Sequence, residues 1–259
     1  QILHWRDSLT LAGVIQDGTS AGSVYLQGDG TLIFNGSVAN TFSGRFVLGE
    51  GALTTWNGTT GNREGIAVVN HSGAFGAAQI YARNAQLQAG TTGINIPNAI
   101  FMDTSNLCLG GTNDFELSGN LTQSSNKSIY HYGLEGLTVT MSGNITIPGG
   151  NSLYVRGNDG QDNGAFVFSG SISGGSLFEI DYTFETSDVT LSGDNSGFTG
   201  RFRPEHATVH ISSEQNLGGN PASFDADMLD ISGNEDNTIH VTQTFAIDDP
   251  NRGIKVGGN

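Results

Sequence analysis

A short pattern of hydrophobic and polar positions occurs seven times along the chain. Each copy reads apolar, any residue, apolar, small polar residue or Ala, and Gly. The residue between the two apolar positions is usually polar, so the side chains alternate with period two. The pattern predicts seven β-strands, each with one face in a core and each ending in a turn. The copies cover 9–13, 32–36, 115–119, 139–143, 166–170, 189–193 and 229–233.

The apolar residue two positions before each Gly is expected to point into one continuous core. We expect Gly to close each strand because the chain leaves it through a conformation that a side chain would disfavour. The residues predicted to point inward are Leu11, Phe34, Leu117, Met141, Phe168, Leu191 and Ile231.

The spacing of the copies predicts the architecture. Successive closing glycines lie 23, 24, 27 and 23 residues apart wherever two copies follow each other directly, which is the length of one coil of a β-solenoid. The two longer intervals leave room for further coils and for insertions. We therefore expect an all-β fold, a single elongated β-solenoid domain over residues 1–259. Because a solenoid exposes strand edges at its ends, we expect terminal caps near 1–7, which contains Trp5, and 238–259.

Two stretches carry a resemblance to a known family. Residues 9–15 read LTLAGVI and residues 30–36 read GTLIFNG, and a similar arrangement follows over 166–219. These segments resemble the autotransporter-associated β-strand repeat of exported bacterial surface proteins. The resemblance implies a right-handed parallel β-helix and a secreted or cell-surface location. The chain starts at Gln1 and stops at Asn259 without a recognisable export signal or anchor, so we expect that a targeting segment has been removed and that an anchor was either removed or never existed.

Composition excludes several partner classes. The chain has 39 Gly and 14 Phe among 259 residues and a formal net charge of −15. That charge would repel nucleic-acid phosphates and anionic lipid surfaces, so we expect neither as a partner. No apolar run approaches 18 residues, so we expect no membrane insertion of this segment. The one cysteine, Cys108, excludes an internal disulfide.

Asp103 is the sharpest catalytic candidate. The segment Ile100 to Leu107 resembles the active-site strand and turn of pepsin-like peptidases, with Ser105 where that family has Gly. Such enzymes need two aspartates that share a proton. The sequence has no second matching motif, and Asp230, in Asp-Ile-Ser-Gly, comes nearest to one. The alternative interpretation of Asp103 is a polar turn between two strands of a coil.

A second acidic segment contains Asp225 and Asp227, which share one face if the segment is extended. Side chains two apart on a strand lie about 7 Å apart, near the separation of carboxylate pairs in glycoside hydrolysis. The alternative is the solvated outer face of an acidic solenoid.

His206 and His210 are too far apart on a strand to share a metal, so we expect no metal site. No nucleotide-binding motif suggests a cofactor.

Trp56, Tyr130 and Tyr132 are the candidate ligand-binding residues, because flat aromatic rings cover the apolar face of a pyranose. The alternative is aromatic packing at the edges of coils.

Together these observations favour a secreted or surface structural and interaction module, a rod that presents loops to extracellular glycans or glycoproteins. The competing hypothesis is an exported hydrolase on the same scaffold, either an aspartic-type peptidase of glycoproteins using Asp103 or a glycan-cleaving enzyme using paired carboxylates.

Overall fold

The computed structural model describes residues 2–4, 7–49, 65–133, 136–157, 164–182, 187–233 and 237–257. These residues form 26 strands and one 3-10 turn at Glu214–Leu217, and they contain no helix with the length and hydrophobicity to cross a bilayer. The strands in chain order are β1 Ile2–His4, β2 Ser8–Leu11, β3 Val24–Gln27, β4 Thr31–Phe34, β5 Arg45–Leu48, β6 Ile66–Val69, β7 Gln79–Ala82, β8 Gln86–Ala89, β9 Ile94–Ile96, β10 Ile100–Met102, β11 Leu107–Gly111, β12 Phe115–Leu117, β13 Leu121–Gln123, β14 Lys127–Gly133, β15 Thr138–Met141, β16 Ile145–Ile147, β17 Ser152–Gly157, β18 Ala165–Phe168, β19 Ile172–Gly174, β20 Leu177–Asp181, β21 Ser187–Leu191, β22 Arg201–Glu205, β23 Ala207–Ile211, β24 Asp225–Ile231, β25 Thr238–Val241 and β26 Arg252–Val256.

The strands stack into three parallel sheets that wind into a β-solenoid of about 9 turns. Within the described residues, sheet A follows the order β1-β3-β5-β7-β10-β13-β16-β19. Sheet B follows β2-β4-β6-β8-β11-β14-β17-β20-β22-β24-β26, and sheet C follows β9-β12-β15-β18-β21-β23-β25. Each strand inside a sheet pairs with the strand one coil before it and the strand one coil after it, and the first and last described strands of each sheet have one such neighbour. The predicted all-β parallel β-helix is therefore confirmed, and the chain is a β-helix repeat protein.

The predicted inward residues line the interior of the solenoid. Five of the seven, Phe34, Leu117, Met141, Phe168 and Leu191, are buried. Leu11 and Ile231 are only partly buried because they lie in the outermost coils, although both pack against the same core. Aromatic rings extend the packing along the axis, as in the pair Phe178 and Phe202, whose centroids are 5.7 Å apart in stacked geometry.

Four of the seven closing glycines, those of sheet C, are required for a different reason from the one predicted. In the turns that follow the strands of sheet C, Gly119, Gly143, Gly170 and Gly193 all have backbone conformations outside the left-handed region. They stack directly on one another instead. A Cβ atom added to Gly170 would lie 2.2 Å from the carbonyl oxygen of Gly143 in the coil below. In these four turns glycine is therefore needed for the close approach of successive coils, not for a positive φ.

The two ends of the rod consist of strands. Residues 2–4 form β1 and pair in register with β3, while Trp5 lies outside the described residues. At the other end, β25 and β26 are the last described strands of sheets C and B. The terminal segments thus contribute rungs of the solenoid itself. A capping role for them stays a prediction.

Candidate functional site

Asp103 lies at the corner between β10 and β11 and is held by Arg83 from the preceding coil. The Arg83 Nη2 and Nε atoms donate to the Asp103 carboxylate at 2.6 Å and 3.1 Å, and the Thr104 backbone N–H adds a third hydrogen bond at 2.6 Å. Partial burial raises the pKa of Asp103, but these hydrogen bonds outweigh it, and the net pKa is lowered from its ordinary value. This environment keeps the carboxylate charged and suits a structural corner.

Asp230 is remote from Asp103. It lies on β24, and the order β11-β14-β17-β20-β22-β24 puts the two aspartates roughly 24 Å apart along the rod, at the usual strand spacing. Burial raises the pKa of Asp230, but hydrogen bonds from Ser232 lower it, and the net shift is downward. Lys255 also approaches its carboxylate at 3.5 Å. The structure does not bring the two candidates together as a proton-sharing pair within one chain, and a catalytic role for either stays a prediction.

Asp225 and Asp227 both lie on β24, where the pairing with β26 is irregular. The Asp225 carboxylate accepts a hydrogen bond from the backbone N–H of Asp227 at 3.0 Å, and Arg201 pairs with the Asp227 carboxylate at 3.0 Å. Both carboxylates are therefore engaged locally on the surface of the rod.

Tyr130 and Tyr132 lie side by side on the outer face of sheet B. Both belong to β14, both are half-buried, and their ring centroids are 5.8 Å apart with an angle of 31° between the planes. On the next strand, β17, Tyr154 holds the Arg156 guanidinium 4.8 Å from its ring centroid. We call Tyr130, Tyr132 and Tyr154 the tyrosine patch. Trp56, the third predicted ligand-binding residue, lies outside the described residues.

Three carboxylates converge on the same face, on the strands that follow the tyrosine patch. Glu179 and Asp181 project from β20 and Glu205 projects from β22, and each offers an oxygen within 4.8 Å of the others. The register explains this convergence, because Glu179 pairs with Arg203 and Asp181 pairs with Glu205. We call Glu179, Asp181 and Glu205 the carboxylate cluster.

The carboxylate cluster is partly neutralised by arginine. Arg203 Nη2 lies 2.7 Å from Glu179 and 3.1 Å from Glu205. Burial raises the pKa of Glu179, and although Arg203 acts in the opposite direction, the neighbouring Glu205 and Asp181 reinforce the rise. Glu179 is thus held closer to the protonated state than an ordinary glutamate. Arg156, at 3.9 Å from Asp181, connects the cluster to the tyrosine patch.

A shallow groove of about 250 Å³ lies on sheet C, away from this face. Its two carboxylates already have partners: Asp114 accepts a hydrogen bond from the Thr138 backbone N–H, and Glu116 accepts one from the Ser142 hydroxyl. The groove is lined by Gly93, Ile94, Asn95, Asp114, Phe115, Glu116, Thr138 and Thr140.

The two histidines considered together in the sequence lie on different elements. His206 occupies the corner between β22 and β23 with φ 52°, and His210 lies on β23. The inward residues of β23 are Ala207, Val209 and Ile211, as the alternation predicts.

Sequence reasoning missed the carboxylate cluster. A signal was present, since Glu179 and Asp181 alternate with apolar residues in one coil, and Arg203 and Glu205 do the same in the next. Recognising it requires the register between coils, because the contacts are made across strands that lie far apart in the sequence.

Comparisons of the chain with protein-family models, with curated proteins and with solved structures found no match.

Proposed function

We propose that this β-solenoid is an interaction module of an exported bacterial protein, secreted or at the cell surface, that binds neutral extracellular glycans across the outer face of sheet B. The observation that carries the proposal is the tyrosine patch beside the carboxylate cluster on one continuous sheet face. Parallel pairing of β14, β17, β20 and β22 fixes the positions of these side chains without a loop.

The chemistry of this face fits a sugar chain. Aromatic rings cover the apolar face of a pyranose, and nearby charged groups hydrogen-bond its hydroxyls. Tyr130 and Tyr132 supply the rings. Arg156 and Asp181, in register with Tyr130 along the sheet, supply a donor and acceptors. The net charge of −15 disfavours sulfated or other acidic glycans, so neutral ones are the expected class.

The test is binding to a panel of neutral polysaccharides by affinity electrophoresis, followed by calorimetry on the tightest. Tyr130→Ala combined with Tyr132→Ala is expected to weaken binding at least tenfold, because each stacked ring contributes about 1 kcal/mol or more. Tyr81→Ala is the matched control, since Tyr81 also lies on an outer face but belongs to sheet A and packs against Phe101. Equal loss in both variants, or no binding by the folded wild-type protein, would contradict the proposal.

A second candidate function is glycan hydrolysis by the carboxylate cluster. The observation that favours it is the raised pKa of Glu179 next to Asp181 and Glu205, since a general acid must stay protonated beside a charged partner. The same polysaccharides are incubated with the protein from pH 4 to 7, and new reducing ends are measured. The hydrolysis proposal replaces the first one if the wild type releases new reducing ends and Glu179→Gln does not, although the variant still binds the polysaccharide.

A further inference from the structure

The outer face of sheet C holds a histidine pair that the sheet B site does not involve. His210 on β23 and His240 on β25 are register partners on neighbouring parallel strands. Their Nδ1 atoms are 3.0 Å apart, and their ring centroids are 4.9 Å apart. His240 is exposed and the His210 side chain is 25% exposed, so an ion from solution reaches both without any opening of the fold.

Asp188 fixes the orientation and the tautomer of His210. Its carboxylate lies 3.1 Å from His210 Nε2. Because a charged carboxylate only accepts hydrogen bonds, Nε2 carries the proton and donates it to Asp188. The Nδ1 atom of His210 then presents its lone pair toward His240. A carboxylate behind the far nitrogen of a ligating histidine is the arrangement that orients imidazole for metal binding.

We propose that His210 and His240 bind one divalent transition-metal ion of the imidazole-preferring class, such as Zn²⁺ or Cu²⁺, through their Nδ1 atoms, with Asp188 as a positioning residue. Two nitrogens at metal–nitrogen distances of 2.0–2.1 Å are about 3.3 Å apart in tetrahedral geometry and about 2.9 Å apart as neighbours in a square plane. The observed 3.0 Å separation lies between these values. Solvent supplies the remaining ligands.

The location gives the ion a structural consequence. β25 is the last described strand of sheet C, and it pairs with β23 on one side only. An ion held by His210 and His240 joins this strand to the rest of the rod. Because the unfolded chain does not hold the two imidazoles together, binding stabilises the folded state.

The test measures Zn²⁺ binding by calorimetry and the Cu²⁺ complex by electron paramagnetic resonance. Both are done in excess Ca²⁺, which competes for oxygen-only sites such as the carboxylate cluster and leaves the histidines free. The wild-type protein is expected to bind one Zn²⁺, to show two coordinating nitrogens on Cu²⁺, and to unfold at a higher temperature with Zn²⁺ than with Ca²⁺ alone.

The variants distinguish metal binding at His210 and His240 from nonspecific metal binding elsewhere on the protein. His210→Gln and His240→Gln are each expected to weaken Zn²⁺ binding at least tenfold, to lose one nitrogen from the Cu²⁺ signal and to abolish the thermal shift. Asp188→Asn is expected to weaken binding about tenfold while both nitrogens remain. His71→Gln, a histidine in a different coil, is the control and should change none of these. A two-nitrogen signal that persists in His240→Gln, or wild-type affinity equal to that of both histidine variants, would overturn the proposal and leave the pair as a hydrogen bond only.

Discussion

His131 is an ionisable residue inside the solenoid. It alternates inward on β14, has no measurable exposure, and packs edge-on against Phe166 with ring centroids 5.0 Å apart. Its Nδ1 atom accepts a hydrogen bond from the Gly133 backbone N–H, whereas Nε2 is buried and has no partner among the described residues. Burial lowers the pKa of His131 to about 4 from an ordinary value of 6.5. The residue is therefore neutral in the folded protein.

This burial predicts a pH-dependent loss of stability. Because the unfolded chain takes up a proton near pH 6.5 while the folded protein resists it until about pH 4, the free energy of unfolding should fall as the pH drops through that window. The contribution of His131 is on the order of 3 kcal/mol across it. Urea unfolding at several pH values should show a flatter profile for His131→Leu than for wild type. Parallel profiles for the two proteins would assign the acid sensitivity to other groups.

At the scale of the turn, two copies of the same sequence motif differ in whether the closing glycine stacks on a glycine of the neighbouring coil. Gly170 stacks on Gly143, whereas a Cβ atom on Gly13, in the first coil, would meet no described residue within 4 Å. Gly170→Ala is expected to cost about 2–3 kcal/mol because the new methyl group overlaps a backbone carbonyl that cannot move alone. Gly13→Ala is expected to change the free energy of unfolding by less than about 0.5 kcal/mol. Thermal and urea unfolding check both, and equal costs would mean that the glycines serve local backbone conformation after all.

The strand pattern predicted the inside and outside of the fold but not the sheet to which each strand belongs. The copies that end at Gly13, Gly36 and Gly233 lie in sheet B, and the other four lie in sheet C. Period-two alternation is the same in every sheet, so it cannot distinguish them. The carboxylate cluster and the histidine pair were missed for the same reason. Their members meet only through the register between coils, which depends on the length of every intervening turn.

On the scale of the whole rod, the last described rung at the C-terminal end differs from the rungs before it. Within the described residues no strand follows β26 in sheet B, and the inward positions of the last rung are therefore exposed. Ile254 is 46% exposed, although its register partner on β24, Leu229, is 2% exposed. Val241 in β25 and Val256 in β26 are exposed in the same way. A solenoid whose coils contact only their neighbours should respond to a core substitution according to the coil that carries it.

The register pair Leu229 and Ile254 tests this dependence directly. Leu229→Asp buries a carboxylate between two coils and is expected to lower the free energy of unfolding by about 3 kcal/mol or more. Ile254→Asp places the same group at the same position of the next coil, where water reaches it, and should cost less than about 1 kcal/mol. Urea unfolding followed by circular dichroism measures both variants over a range of protein concentrations. A large loss at Ile254 that is independent of concentration would mean that this end is covered within the same chain. If the free energy of unfolding of the wild type instead falls on dilution, while that of Ile254→Asp does not, copies of the rod associate through this end.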